Sequence, residues 1–418
     1  MEDNRLTVTD GGGTETNNRT AKATGSEPLR QSLNVLPSTN HLYSESEWII
    51  GSNFEKERCG AYGVFTVSND LTKYTKAALF SRTGKKTHLF LAFSEAAKCE
   101  QDECIGRCVC VYSIKFYTED GIWDLVGCNH PVSFTCHPQR YHDCICAYDS
   151  LPKKENFNLI DKWNRCTLLP DSLHQLMFLM GERGIPRDYR HMHGFGCRTY
   201  CFINKENRRY WVKFHLLTQQ GIQNLTKEEA LKRNTSHYKF ARRDLYHYIK
   251  RGNYPRWKMY IQVMSQEEAE KCVFNPLDPT KVWPHGTYPL IEAGTLELHR
   301  NTANDSMVIR YSKFSPSNLV SGIEFPKYAN NPGSKPDYYL QPGVFFRMQS
   351  AEMQQRFIHN VASELAQVPE VIQIRAAARF YQVDKYCGKE LANKLQMEIR
   401  LILEEIEWQK ETDLRMAF

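Results

Sequence analysis

The chain has no apolar run approaching the roughly 18 residues that span a bilayer, and its start carries no apolar segment of the kind a secretory signal needs. Both absences lead to the expectation of an intracellular protein, cytoplasmic or peroxisomal, with no membrane partner. Met416-Ala-Phe418 is no clear peroxisomal address. Blocks of like charge are also missing: the net charge of +6 reads as thinly spread, with no basic stripe and no RNA-binding motif. The sequence therefore gives no reason to expect a nucleic-acid partner. Cysteine, by contrast, is plentiful at 14, and in a reducing compartment these residues are expected as thiols rather than as a disulfide framework. With 418 residues, 41% hydrophobic and 24% charged, the chain is long enough to bury a large core and a smaller second unit.

Residues 1–50 are rich in Gly, Ser, Thr and Asn, with Gly11-Gly-Gly13 and few aromatics, too little apolar surface to fold alone. They read as a flexible arm. Short runs of β-branched and aromatic residues then follow: Tyr62–Val67, Leu89–Leu91, Val109–Ile114, Tyr210–Phe214, Lys258–Val263, Ile291–Leu298 and Met307–Tyr311. Separated by turn residues, they predict an antiparallel β core within residues 51–324. Helical patterns interrupt it at Asp171–Arg183, with Asp171 as the expected cap after Pro170, and at Lys227–Arg251. A connector rich in Pro, Gly and Asn occupies 325–345, and 346–418 reads as a helical domain. In that domain Phe357, Val361 and Leu365, then Leu391, Leu395, Ile399 and Leu403, recur at helical spacing.

The most specific strings are Gly184-Ile-Pro-Arg-Asp-Tyr-Arg-His-Met-His-Gly-Phe-Gly196, Gly252-Asn-Tyr-Pro255 and Val282-Trp-Pro-His285, joined by Lys115-Phe-Tyr-Thr-Glu-Asp-Gly121, Asp124-Leu-Val-Gly127 and Ser172-Leu-His-Gln175. In this order, from about Leu6 to Leu395, the chain resembles the heme catalases. The resemblance implies an α+β fold: an antiparallel eight-stranded β-barrel with an N-terminal arm and a C-terminal helical domain. It also implies a tetramer whose arms pack into neighbouring subunits, and hence a homotetramer or a mixed oligomer with a related catalase.

It further implies decomposition of hydrogen peroxide to water and oxygen, which needs heme held by a tyrosinate, a distal histidine to shuttle a proton, and a distal asparagine. Such proton transfer contributes about 10²–10⁴-fold. The residues that carry this chemistry are replaced. Where the family has E-R-x-x-H-x-x-G, Phe54-Glu-Lys-Glu-Arg58 runs directly into Cys59-Gly-Ala-Tyr-Gly63. In the family's V-G-N-N-x-P string, Cys128 stands at the catalytic asparagine and Asn129 follows as a structural remnant. The proximal R-x-F-x-Y-x-D motif, due after Gly322-Ile-Glu324, is missing. Tyr338-Tyr-Leu-Gln-Pro-Gly-Val-Phe-Phe-Arg347 resembles instead the family's later entry into its helical domain, although either tyrosine is a conceivable substitute ligand. Ala92 replaces a propionate-binding arginine, Arg198 a heme-contacting histidine, and Ser133 a phenylalanine over the porphyrin. Ser94 and Phe314 remain from the heme pocket.

The family's NADPH site is better kept. His174, Phe178, Arg183, Trp283 and His285 match its contacts, whereas Leu217, His193 and Gly181 replace a lysine, an asparagine and a serine. NADPH binding is thus expected to be weakened, with Arg183 as its anchor. New relative to the family is a set of Cys99, Cys104, Cys108 and Cys110 with Cys136, His137, His142, Cys144 and Cys146, for which zinc and plain space-filling are both open readings. The leading expectation is a catalytically impaired catalase-like pseudoenzyme that does not hold heme, with a structural or regulatory role. Two alternatives are a member that keeps heme and some catalase or peroxidase activity, and a thiol- or metal-dependent protein using the added cysteines.

Overall fold

The computed structural model describes residues 8–9, 15–16, 59–95, 107, 109–135, 157–196, 198–233, 237–272, 274–302, 321–324 and 337–416. Its centre is a closed antiparallel barrel. The strands are β1 (Cys59–Val67), β2 (Lys86–Glu95), β3 (Cys110–Thr118), β4 (Gly121–Cys128), β5 (Gly194–Gly196), β7 (Arg209–Thr218), β8 (Arg256–Ser265) and β9 (Ile291–Asn301). They pair in chain order, β5 with β7, and β9 returns to β1 to close the wall. A side branch, β6 (Tyr200–Ile203), pairs with one end of β7 and with β10 (Ile323–Glu324). In the arm, Val8–Thr9 pairs antiparallel with Glu15–Thr16.

Period-two alternation sets the inside. Phe65, Leu91, Phe93, Phe116, Phe214 and Leu298 belong to one buried cluster, and Phe93 stacks on Tyr189 with ring centroids 4.7 Å apart. What is left open beside Leu91, Phe93, Tyr112, Leu216 and Trp257 has room for about a single water. The interior is a packed core.

Outside it lie α1 (Phe157–Leu168), α2 (Leu173–Met180), α3 (Lys227–Lys232), α4 (His237–Lys250) and α5 (Gln266–Glu270). The C-terminal helices follow: α6 (Leu340–Arg347), α7 (Ala351–Leu365), α8 (Glu370–Val383), α9 (Lys385–Leu395) and α10 (Ile399–Met416). Every residue of α2 is buried because this helix is walled on both sides. Leu176, Met177 and Met180 join the core of the C-terminal helices, while Leu179 packs on the barrel wall. Glu364 clamps α1 to α7, accepting from Lys162 at 2.6 Å and from the Trp163 indole at 3.0 Å. No helix among the described residues is long and apolar enough to cross a membrane.

Four local expectations need correction. Asp171 is not a helix cap: it sits in a 3₁₀ turn, Pro170–Ser172, and its Oδ2 accepts from the Thr135 hydroxyl at 2.6 Å. The single helix expected over Lys227–Arg251 is two, α3 with a Thr226–Glu229 capping box, and α4. The ladder Leu391, Leu395, Ile399, Leu403 breaks at Gln396, whose φ of 56° is left-handed. Helix α10 therefore restarts in a new phase, burying Ile402 and Ile406 and leaving Leu403 45% exposed. Helical structure begins at Leu340, inside the stretch read as connector. The strand expected at Met307–Tyr311 lies outside the described residues.

Candidate cofactor sites

Cys128 ends β4, opposite Phe195 of β5. It is buried in a small apolar cluster with Val109, Val111, Phe134 and Leu179, between the barrel wall and α2. Its Sγ donates to the carbonyl oxygen of His130 at 3.2 Å. Asn129 is likewise committed to the fold, its Oδ1 accepting from the Cys110 backbone N–H at 3.0 Å. Ala92 and Ser94 are buried on β2, paired across to Ser113 and Val111. The backbone N–H of Ser133 donates to Pro279 O at 2.9 Å, and Arg198 is half-buried. Tyr339 begins α6 and its hydroxyl accepts from Arg379 at 2.5 Å, on the side of the C-terminal helices, while Lys281 lies over the Tyr338 ring at 5.6 Å. Phe314 lies outside the described residues.

The resemblance implies heme, and at these positions the described side chains make contacts within the fold. At Cys128 a thiol is turned onto its own backbone where the resemblance puts an amide. The two candidate phenols are held by cations near the C-terminal helices.

A second group gathers where α2 and α6 meet the outer wall of β7. Phe178 contacts His174 (5.6 Å between centroids), Phe345 (4.1 Å) and the Arg183 guanidinium (5.8 Å). His215 touches Phe195 and His285, 5.6 and 5.8 Å between ring centroids, and His193 lies 6.3 Å from Phe195. Strand alternation puts Lys213, His215 and Leu217 on one face of β7.

Burial sets the charges here. It pushes His215 down to about 3, and His174 and His193 down to about 4, so all three are neutral at pH 7. His174 Nδ1 donates to Thr280 O at 2.9 Å and His215 Nε2 to Gln262 Oε1 at 3.0 Å. His193 Nδ1 accepts from the Thr218 N–H at 3.1 Å, which leaves the proton on Nε2. Burial also lowers Lys213 to about 8, and its Nζ donates to Lys281 O at 2.7 Å. Arg183 is mostly buried, and no carboxylate among the described residues pairs with it. Among the described residues the group therefore presents two cations, Arg183 and Lys213, with neutral imidazoles and an aromatic wall, a combination suited to an anionic aromatic ligand.

The expected residues divide. His174 and Arg183 both contact Phe178, whereas the exposed His285 lies against His215 instead, and Trp283 is 1% exposed with its indole donating to Pro276 O at 3.1 Å, a role in packing. Leu217 is half-buried, and Gly181 closes α2 by donating to Met177 O. Sequence reasoning missed His215, Lys213, Phe345 and Gln341, the last bonded both ways to the Val282 backbone at 2.9 and 3.0 Å. The alternation of β7 and the Gln341-Pro-Gly string were the available signals. Of the cysteine set, Cys110 is buried and the others lie outside the described residues. Among the described residues, no group of three or more His, Cys, Asp or Glu could hold a metal ion.

A family profile described as Catalase matches residues 15–329, and one described as Catalase-related immune-responsive matches residues 332–395. The chain is 34% identical to the catalase of Staphylococcus warneri, over 90% of this chain and 91% of that one. It is 35% identical to the catalase of Staphylococcus aureus strain USA300, over 82% and 85%. Among solved structures it superposes on a fungal catalase with a TM-score of 0.74 at 25% identity, covering 94% of this chain and 98% of the other. For catalase A from Saccharomyces cerevisiae the TM-score is 0.73 at 25% identity, over 93% and 99%.

Proposed function

The chain belongs to the catalase family, and from that premise we propose that it is a member without peroxide turnover that keeps a weakened dinucleotide cleft. As a family, catalases decompose hydrogen peroxide with heme. The observation that carries this reading is Cys128, sealed in apolar packing and bonded to the His130 carbonyl at the place where the resemblance puts the peroxide-orienting amide. No imidazole follows Arg58 to move the proton, and general acid–base transfer is worth about 10²–10⁴-fold. The contacts of Phe178 with His174 and Arg183, and of His285 with His215, support NADPH as the ligand of this group, Arg183 suiting a phosphate and Phe178 a ring. Such a protein acts by binding and assembly, as a homotetramer or as a subunit mixed with an active relative.

The test is made on purified full-length protein incubated with hemin and desalted. The expected result is no stoichiometric Soret band and oxygen evolution at the buffer rate. Catalase-like oxygen evolution would overturn the reading. Titration with NADPH, followed by its fluorescence, addresses the cleft separately, with saturable binding expected.

A further inference from the structure

One surface is used by neither site: the outward face of α4 and its flanks. Residues 227–258 hold ten Lys and Arg against three Asp and Glu, a net +7 that exceeds the +6 of the whole chain. Arg256 and Lys258 of that count lie on β8 and pair with Glu297 and Glu292 of β9, so the cations of the face are those of α4 and its ends, interleaved in sequence with apolar and aromatic residues until a helix sorts them. Ala241, Leu245 and Ile249 are buried in the barrel-side core, while Lys239, Arg243, His247 and Lys250, with Arg251 after them, lie exposed on the opposite side. The row is about 18 Å long at 1.5 Å per residue.

Two of the three carboxylates are already engaged: Glu229 accepts from the Thr226 N–H at 2.8 Å, and Asp244 takes both Arg190 contacts at 2.5 and 2.9 Å. At the leading end Arg233 lies on the Phe240 ring at 3.9 Å and donates to the main-chain carbonyl of Arg187 at 2.8 Å. Like charges at i, i+4 destabilise a helix, and a polyanion along the row would offset that repulsion. Aromatics sit among the cations. Lys250 Nζ is 5.7 Å from the Tyr246 ring, Tyr254 is 43% exposed with its edge toward His299, and Arg300 lies over Tyr62 at 4.6 Å.

We propose that this face binds single-stranded nucleic acid without sequence preference, with phosphates along Arg243, Lys250 and Arg251 and a base against Tyr254. Cations that track a backbone beside exposed rings are the elements of such binding. A lipid surface is disfavoured because the apolar face of α4 is already buried in the fold and cannot insert.

The probe is a fluorescent 20-nucleotide oligodeoxythymidylate titrated with the full-length chain by anisotropy at several salt concentrations. The affinity is expected to fall with salt at a log–log slope of about −2 to −3.5, roughly −0.7 per neutralised phosphate for three to five contacts. Arg243→Glu with Lys250→Glu should cut affinity more than tenfold and flatten the slope. Tyr254→Ala should weaken oligonucleotide binding about tenfold while leaving any binding of polyglutamate unchanged. All three side chains are exposed, so an unchanged urea midpoint shows that the variants fold. The proposal fails if the oligonucleotide does not bind at low salt, if charge reversal leaves affinity intact, if Tyr254→Ala has no selective effect, or if only phosphatidylserine vesicles bind.

Discussion

The Cys128 thiol donates to the main-chain carbonyl of His130, 3.2 Å away, instead of facing a ligand. A two-residue turn thus closes on itself, walled by Val109, Val111, Phe134 and Leu179. On the proposed function, placing an amide at this position is expected not to bring peroxide turnover. Cys128→Asn is expected to leave oxygen evolution at background. It should lower stability by about 1–3 kcal/mol, the cost of a buried amide without partners. A urea titration beside an oxygen-electrode assay reads both, and a gain of activity from this one change would sink the proposed function.

The cleft makes a prediction of opposite sign. Leu217 shares a face of β7 with Lys213 and His215, so Leu217→Lys adds a further cation beside the proposed NADPH site. A charge-assisted hydrogen bond is worth about 1.5–3 kcal/mol, so NADPH should bind at least about tenfold tighter. Arg183→Gln should weaken it by a similar factor. Fluorescence titrations of the two variants against the parent chain decide this, and equal affinities for all three would remove NADPH from the cleft.

Acid should destabilise the fold early. Burial holds His130 and His215 down at about 3 and His174 at about 4, against 6.5 in the ordinary case. Their contribution is complete above pH 6.5 and is lost as the pH falls toward 4 and 3, because the unfolded chain takes up the protons first. Each such group removes up to about 1.4 kcal/mol per pH unit within that window. Lys213, depressed to about 8 from 10.5, acts in the same sense at higher pH, adding stability as the pH rises between those values. Urea midpoints at pH 7, 6 and 5 test the histidines, and a flat profile would contradict the buried, neutral assignment.

Gln396 closes α9 with φ 56° and ψ 39°. A side chain in this left-handed region costs roughly 1–2 kcal/mol, and glycine escapes most of that at a smaller entropic cost. Gln396→Gly should therefore raise stability by about 0.5–1 kcal/mol, visible as a higher denaturation midpoint.

Gly127 has no room for a side chain. A Cβ there would meet Phe195 O at 2.1 Å and the Tyr112 hydroxyl at 2.3 Å, where β4 pairs with the three-residue β5. Gly127→Ala must push these strands apart, and overpacking of this kind typically costs about 1–3 kcal/mol. A loss below that range, measured by thermal or urea unfolding, would mean that β5 shifts freely.

Most of the barrel was readable as strands because period-two burial leaves a local mark: Tyr210–Phe214 and Lys258–Val263 fall within β7 and β8. The helical repeat Phe357, Val361, Leu365 was equally legible, and all three are buried in α7. The role of Asp171 was not, since a capping residue and a buried carboxylate bonded to Thr135, 36 residues away, look alike in sequence. Nor was the new phase of α10, which turns on the backbone angle of one residue, Gln396.

The sequence by itself determined the lineage, because it is written in contiguous strings such as Gly184 to Gly196. Only the tertiary structure decided what the replacements do. Cys128 is sealed by residues from β3, α2 and the loop after β4, and the ring contacts of Phe178 and His215 join α2 to α6 and β7 to the segment before β9. The cationic face of α4 likewise exists only once its apolar side is buried. Contacts between residues far apart in the chain set burial, and burial sets charge state, access and the direction in which a side chain can act.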